Sequence, residues 1–178
     1  MDLMTIRRRL MSEVHLPVGY TRLDYIRGSG AYINTDLILE SGCIISITYE
    51  VENSTSEQAV WGYRYAGNWS AVFQAHIYYN GGNRVLAFGK GIQLSQHGSN
   101  DAWQFDVKNR LIIDTAQNRV LLNGVQPEIN YDFSNGAMFD SNGSSVYPPY
   151  LLASNRAGTA GASSSKAKIY EYKVTQNG

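Results

Sequence analysis

From residue 20 to residue 174 the chain is written in short runs of alternating apolar and polar residues, several of them closed by Asn, Gly or Ser. A repeat of two suits a strand with one face buried, because successive side chains point to opposite sides of a sheet. The runs are 20–27, 31–36, 43–52, 58–65, 70–79, 84–89, 103–107, 109–115, 118–122, 150–154 and 166–174. In 43–52 the pattern is clearest, with Ile45, Ile47, Tyr49 and Val51 on one side and Ile44, Ser46, Thr48 and Glu50 on the other. Asn80-Gly81-Gly82-Asn83 and Asn123-Gly124 read as tight turns, since Asn and Gly tolerate positive φ. Ala116-Gln117 with Asn118 joins 109–115 to 118–122 as a hairpin. Segments 134–149 and 155–165 read as loops. Thirteen Tyr and seventeen Gly against four Pro agree with strands and turns. The expectation is an all-β, two-sheet antiparallel sandwich or barrel, with about five to seven strands per sheet.

Residues 1–16 differ. Leu3, Ile6, Leu10 and Val14 recur at helical spacing, and Arg7, Arg8 and Arg9 form a dense basic run. No apolar h-region follows the arginines, so a signal peptide is not expected. Two readings stand: a frayed tail, or an anchoring or self-associating helix that orders on a partner, which the apolar stripe favours. The domain division expected is therefore an arm over 1–16 and a β-sandwich over 17–178.

Three blocks of sequence resemble a known group. LPVGYTRLDYIRGSGAYINTDL (16–37) is similar to the opening of laminin-G-like, concanavalin A-type jelly-roll domains of gut bacteria and their phages. The matching positions are Leu16, Pro17, Gly19, Tyr20, Leu23, Tyr25, Ile26, Gly30, Tyr32, Ile33 and Thr35. Asn34 and Asp36 depart from the usual Asp and Gly. DTAQNRVLLNGVQ (114–126) resembles the central hairpin of such domains, and LLASNRAGTAGASSSKAKIYEYKV (151–174) their closing strands. TIRRRLM (5–11) resembles leaders of phage structural proteins. The resemblance implies a jelly roll whose first and last strands pair in one sheet, and a place on a virion surface.

Catalysis is not expected. Glycosidases of this architecture need two carboxylates at a set separation on one strand face, and the E-x-D-x-x-E pattern of the glucanases is absent. Glu50 and Glu52 share a face but read as a solvated strand end. His15, His76 and His97 stand singly, and no nucleophile elbow or zinc motif occurs. With Asp140 the one attractive loop acid and Cys43 alone, neither a metal nor a cofactor is expected.

Binding is the expectation that remains. Trp61, Tyr63, Tyr65, Asn68 and Trp69 combine aromatic rings with an amide, the mix that stacks on sugar rings and bonds their hydroxyls. Arg156 is a further candidate in the loop after 150–154. The competing reading places the 61–65 aromatics in the core or in a subunit interface. Fifteen Lys+Arg balance fifteen Asp+Glu, so a nucleic-acid partner is not expected, and no apolar run is long enough for membrane insertion. The resulting expectation is a non-enzymatic virion surface protein of head, tail or fibre. Leu3, Ile6, Arg7, Arg8, Arg9, Leu10 and Val14 would anchor it to other virion proteins or to its own copies, and it would touch host or mucosal glycans. The alternative is a bacterial carbohydrate-binding module independent of a virion. The ending Gln176-Asn177-Gly178 reads as a turn leading onward.

Overall fold

The computed structural model describes residues 24–27, 32–53, 57–64, 72–80, 83–89, 92–96, 104–126, 139, 144–161 and 166–176. In chain order the strands are β1 (Ile26–Arg27), β2 (Ile33–Asn34), β3 (Ile44–Glu50), β4 (Gln58–Arg64) and β5 (Val72–Asn80). There follow β6 (Asn83–Gly89), β7 (Ile92–Gln96), β8 (Asn109–Asp114) and β9 (Arg119–Leu122). The last four are β10 (Tyr150–Leu151), β11 (Ser154–Arg156), β12 (Thr159–Gly161) and β13 (Lys168–Thr175). Among the described residues there is no helix. The expected helix over 1–16, and with it every anchoring residue, lies outside them.

Two sheets form a jelly-roll sandwich. The five-stranded sheet runs β1-β13-β3-β8-β9, and the eight-stranded sheet runs β12-β11-β4-β5-β6-β7, with β10 joining β2 to β4. The first and last strands pair as expected, Ile26 with Ile169 and Arg27 with Lys168. Alternation along β3 follows the sequence pattern: Ile45, Ile47, Tyr49 and Val51 are fully buried, while Ile44 is exposed. They meet Trp61, Tyr63, Ala75 and Ile77 of the other sheet together with Leu111, Ile113, Val120 and Leu122. Each fully buried aliphatic side chain contributes about 1.5–3 kcal/mol, so this double layer is the main source of cohesion.

Turn chemistry acts where it was read. Asn123 and Gly124 take φ of 54° and 84°, and Leu122 and Val125 exchange backbone hydrogen bonds of 2.8 and 3.0 Å around them. Two positive φ values in succession suit the twist of a two-residue hairpin, which is why Gly occupies the second position.

Several boundaries differ from the sequence pattern. Among the described residues of the runs 20–27 and 31–36, the strands are the short β1 and β2. Residues 104–107 form a turn, because Asn109 donates to the carbonyls of Gln104 and Val107 and accepts from the Gln104 N–H. The run 150–154 is broken at Leu152, whose φ is 64°. The chain reverses there, so β10 pairs antiparallel with β4 but β11 pairs parallel with it. The sandwich is therefore not wholly antiparallel. The loop expected over 155–165 instead begins as the β11–β12 hairpin, and β7 was not signalled by the pattern.

One polar network fastens the outer side of the five-stranded sheet. Glu50 accepts from Lys168 and from the Tyr170 hydroxyl, the latter at 2.6 Å. Glu52 pairs with Arg27 at 2.7 Å and with Lys166 at 3.4 Å. The solvated strand end expected for these two acids is in fact a set of ties between β1, β13 and β3.

Candidate functional site

The aromatic residues singled out in β4 share a face, as their spacing requires, but it is the inner one. Trp61 is fully buried and Tyr63 is 1% exposed. The Trp61 indole N–H donates to the Tyr172 hydroxyl at 3.2 Å. Neither ring is available to stack on a sugar, and the core reading holds for both. Aromatics of this size bury about 150–250 Å² each, which outweighs anything their ring edges gain at the surface. Tyr65, Asn68 and Trp69 lie outside the described residues.

Arg156 sits at the end of a strand, not in a loop. It pairs with Arg64 of β4 on one side and with Thr159 of β12 on the other. Ala157 and Gly158 close the hairpin with φ of 53° and 89°. The unfavourable left-handed Ala157 is held in place by Asn155, whose Oδ1 accepts from the Gly158 N–H at 2.7 Å while its Nδ2 donates to the Pro148 carbonyl at 2.8 Å. Strand alternation then fixes the direction of Arg156. Tyr63, paired with Asn155, faces the core, so Arg156 points to the outer side. Its side chain lies across Gly161, where a Cβ would come within 2.0 Å of Nε. That Nε is buried and has no hydrogen-bond partner among the described residues.

Tyr150 belongs to the same outer face, since it pairs with Gly62, two residues from Arg64. Its hydroxyl donates to the Gly158 carbonyl at 3.2 Å, which ties β10 to the Arg156 hairpin. Burial, then the neighbouring Tyr32 and Asp36, push the Tyr150 hydroxyl above its ordinary range, so it remains a donor at neutral pH. Tyr32 stacks on Tyr150 with ring centroids 4.6 Å apart and an interplanar angle of 15°. Tyr150 is 5% exposed and Tyr32 is 44% exposed, so the outer ring of the pair offers a face to solvent.

Polar groups frame this corner. Asn34 pairs with Tyr150 across β2 and β10. Its amide donates to Asp36 Oδ1 at 2.6 Å and its Oδ1 accepts from the Asp36 N–H at 3.1 Å, which holds Asp36 at φ 53°. On the other flank the Ser154 hydroxyl donates to Gln74 Oε1 at 2.6 Å. Strand β4 separates Ser154 from Gln74, and Gly62, paired with Gln74, offers no side chain to block the crossing. The arrangement is an exposed ring backed by a second ring, with the Asn34 amide next to it in β2 and Arg156 on the same outer face of the sheet. Such a surface can take the apolar face of a pyranose and bond its hydroxyls or a charged substituent. Sequence reasoning had Arg156 but missed Tyr32 and Tyr150, because nothing local marks residues 118 positions apart as stacking partners. Among the described residues no group of three or more His, Cys, Asp or Glu could hold a metal ion.

No protein-family model matches the sequence. No curated protein matches it. Solved structures do share the fold. NanB sialidase from Streptococcus pneumoniae aligns with a TM-score of 0.54 and 17% identity over 85% of this chain. The aligned part is 25% of the NanB chain, so this chain spans a quarter of that protein. A second NanB structure, with Optactamide, gives a TM-score of 0.53 at the same identity and coverage. The CBM40 of Ruminococcus gnavus IT-sialidase aligns over 76% of each chain at 20% identity and a TM-score of 0.46. At 17% identity the two NanB alignments, with TM-scores above 0.5, speak to fold alone. The virion setting expected from the leader and the family resemblance draws no support from these neighbours.

Proposed function

We propose that the chain is a non-catalytic carbohydrate-binding module, and that its binding surface is the outer corner of the eight-stranded sheet formed by Tyr32, Tyr150, Asn34 and Arg156. The observation that carries this reading is the stacked pair: an exposed Tyr32 ring set rigidly on Tyr150, on the same face as a guanidinium whose Nε has no described partner. Stacking on a preorganised ring loses little conformational freedom, and the polar groups beside it fix orientation. Sharing a fold with part of a sialidase chain is in keeping with a role among glycans. This is the alternative drawn from the sequence, with its site moved from β4 to the β2–β10–β11 corner.

A glycan array followed by titration calorimetry tests it. Tyr32→Ala and Arg156→Ala should each weaken the best ligand about tenfold or more, equivalent to about 1.4 kcal/mol, with folding unchanged. Wild-type affinity in both variants would remove this corner from consideration and return attention to Tyr65, Asn68 and Trp69.

A further inference from the structure

The five-stranded sheet carries a second aromatic surface on its own outer side, remote in the fold from the Arg156 hairpin. Tyr25 precedes β1, Tyr170 lies in β13 where the register against β3 shifts, and their ring centroids are 5.5 Å apart at 54°. Tyr25 is 43% exposed. The bulge turns Tyr170 so that its hydroxyl reaches Glu50 at 2.6 Å, which fixes the ring. Lys108 holds its ammonium 4.0 Å from the centre of the Tyr170 ring, and Lys168 lies 5.5 Å from that of Tyr25. Lys168 is tied to Glu50 and Arg27 to Glu52. Lys108, which is exposed, lies over the ring and also acts through its charge on Glu50, whose two oxygens are already bonded by Lys168 and the Tyr170 hydroxyl.

From this geometry we infer a second binding site, specific for acidic polysaccharide, in which Tyr25 takes the sugar face and Lys108 the carboxylate. Charge complementarity favours an anion: four cations, Arg27, Lys108, Lys166 and Lys168, gather about the two rings, and the acids Glu50 and Glu52 among them are each already paired. The same two carboxylates set an upper limit on ligand charge density. They accept hydrogen bonds from hydroxyls, whereas a nucleic-acid backbone with a phosphate at every residue would meet them as like charges. A polyuronate, with one carboxylate and free hydroxyls on each ring, suits both features. The cation beside the ring also favours a ligand that replaces water over Tyr170 with a counter-charge.

The test is titration of the full chain with polygalacturonate, with a neutral glucan of equal length and with single-stranded DNA as comparators. Polygalacturonate should bind, and binding should weaken as salt is raised. Lys108→Glu and Tyr25→Ala should each weaken it at least about tenfold. Both altered residues are exposed, and a thermal melt checks that the fold is kept. The inference is overturned if the neutral glucan binds equally well, if DNA binds more tightly, or if Lys108→Glu has no effect. Loss in Arg156→Ala alone would also overturn it, and would leave the corner at Tyr32 standing.

Discussion

The Trp61 indole N–H, in β4, donates to the Tyr172 hydroxyl, in β13, at 3.2 Å, and this bond joins the two sheets through the middle of the sandwich. Burial drives the Tyr172 hydroxyl up to about 12, with the Trp61 bond acting in the opposite direction. The phenol is therefore neutral, and able to accept the Trp61 bond, at neutral pH. Tyr172→Phe removes the bond while keeping the ring. The expected loss is about 1 kcal/mol, or a fall of about 2–4 °C in melting temperature for a domain of this size. An unchanged melting temperature would mean that the bond adds nothing beyond packing.

Tyr49 presents the opposite case. Its side chain is fully buried in β3, and its hydroxyl has no hydrogen-bond partner among the described residues. Burial alone pushes its ionisation far above the ordinary tyrosine range. An unpaired buried hydroxyl costs about 1–3 kcal/mol. Tyr49→Phe should then be at least as stable as the natural protein in urea unfolding. A marked loss of stability would reveal a partner for that hydroxyl.

The Glu50 network predicts a stability profile with two limbs. Hydrogen bonds from Lys168 and then Tyr170 hold the Glu50 carboxyl below its ordinary value of 4.5. A depressed carboxyl contributes stability above the unfolded value, and that contribution is lost as pH falls through the folded one. The same bonds raise Lys168 above 10.5 and Tyr170 above 10.0. Raised groups contribute below the unfolded value, and lose that contribution as pH rises through the folded one. Glu50→Gln should therefore destabilise the domain most between about pH 5 and about pH 9, with the difference narrowing on both sides. Urea midpoints measured across pH for both proteins check this, and a gap that does not narrow below about pH 4 would rule the network out as its source.

Much of the sandwich was legible because strand alternation is a local property. Ile45, Ile47, Tyr49 and Val51 could be assigned to one face from spacing, and Asn123-Gly124 to a turn from its chemistry. Alternation also grouped Trp61 with Tyr63, but a period of two says only that residues share a side. Which side meets the other sheet depends on partners far away in sequence, here Tyr172 and the β3 row. The same limit hid the Tyr32–Tyr150 stack, which exists because β2 and β10 pair at Ile33–Leu151 and Asn34–Tyr150. Register between distant strands is set by the assembled sheet, and neither segment carries it alone. Leu152 was misread for a related reason. Its apolar side chain belongs to a strand pattern, while its backbone reverses the chain at φ 64°.

Gly161 offers a way to question Arg156 without touching its charge. The Arg156 side chain lies over Gly161, so a Cβ added there would sit 2.0 Å from Nε and 2.1 Å from Cδ. The colliding atoms belong to the far part of a flexible side chain, and Gly161 pairs with Ser154 in the strand β12. Backbone and fold should therefore accommodate Gly161→Ala, at a stability change within about 1 kcal/mol. The guanidinium would be displaced from its place over β12 even though its charge and sequence position are retained. If that corner binds glycan through Arg156, affinity should drop by a factor similar to that of Arg156→Ala, and combining the two changes should add little. Calorimetric titration of the single and double variants decides the matter. Full affinity in Gly161→Ala together with loss in Arg156→Ala would show that the position of the guanidinium over β12 is not the one used in binding.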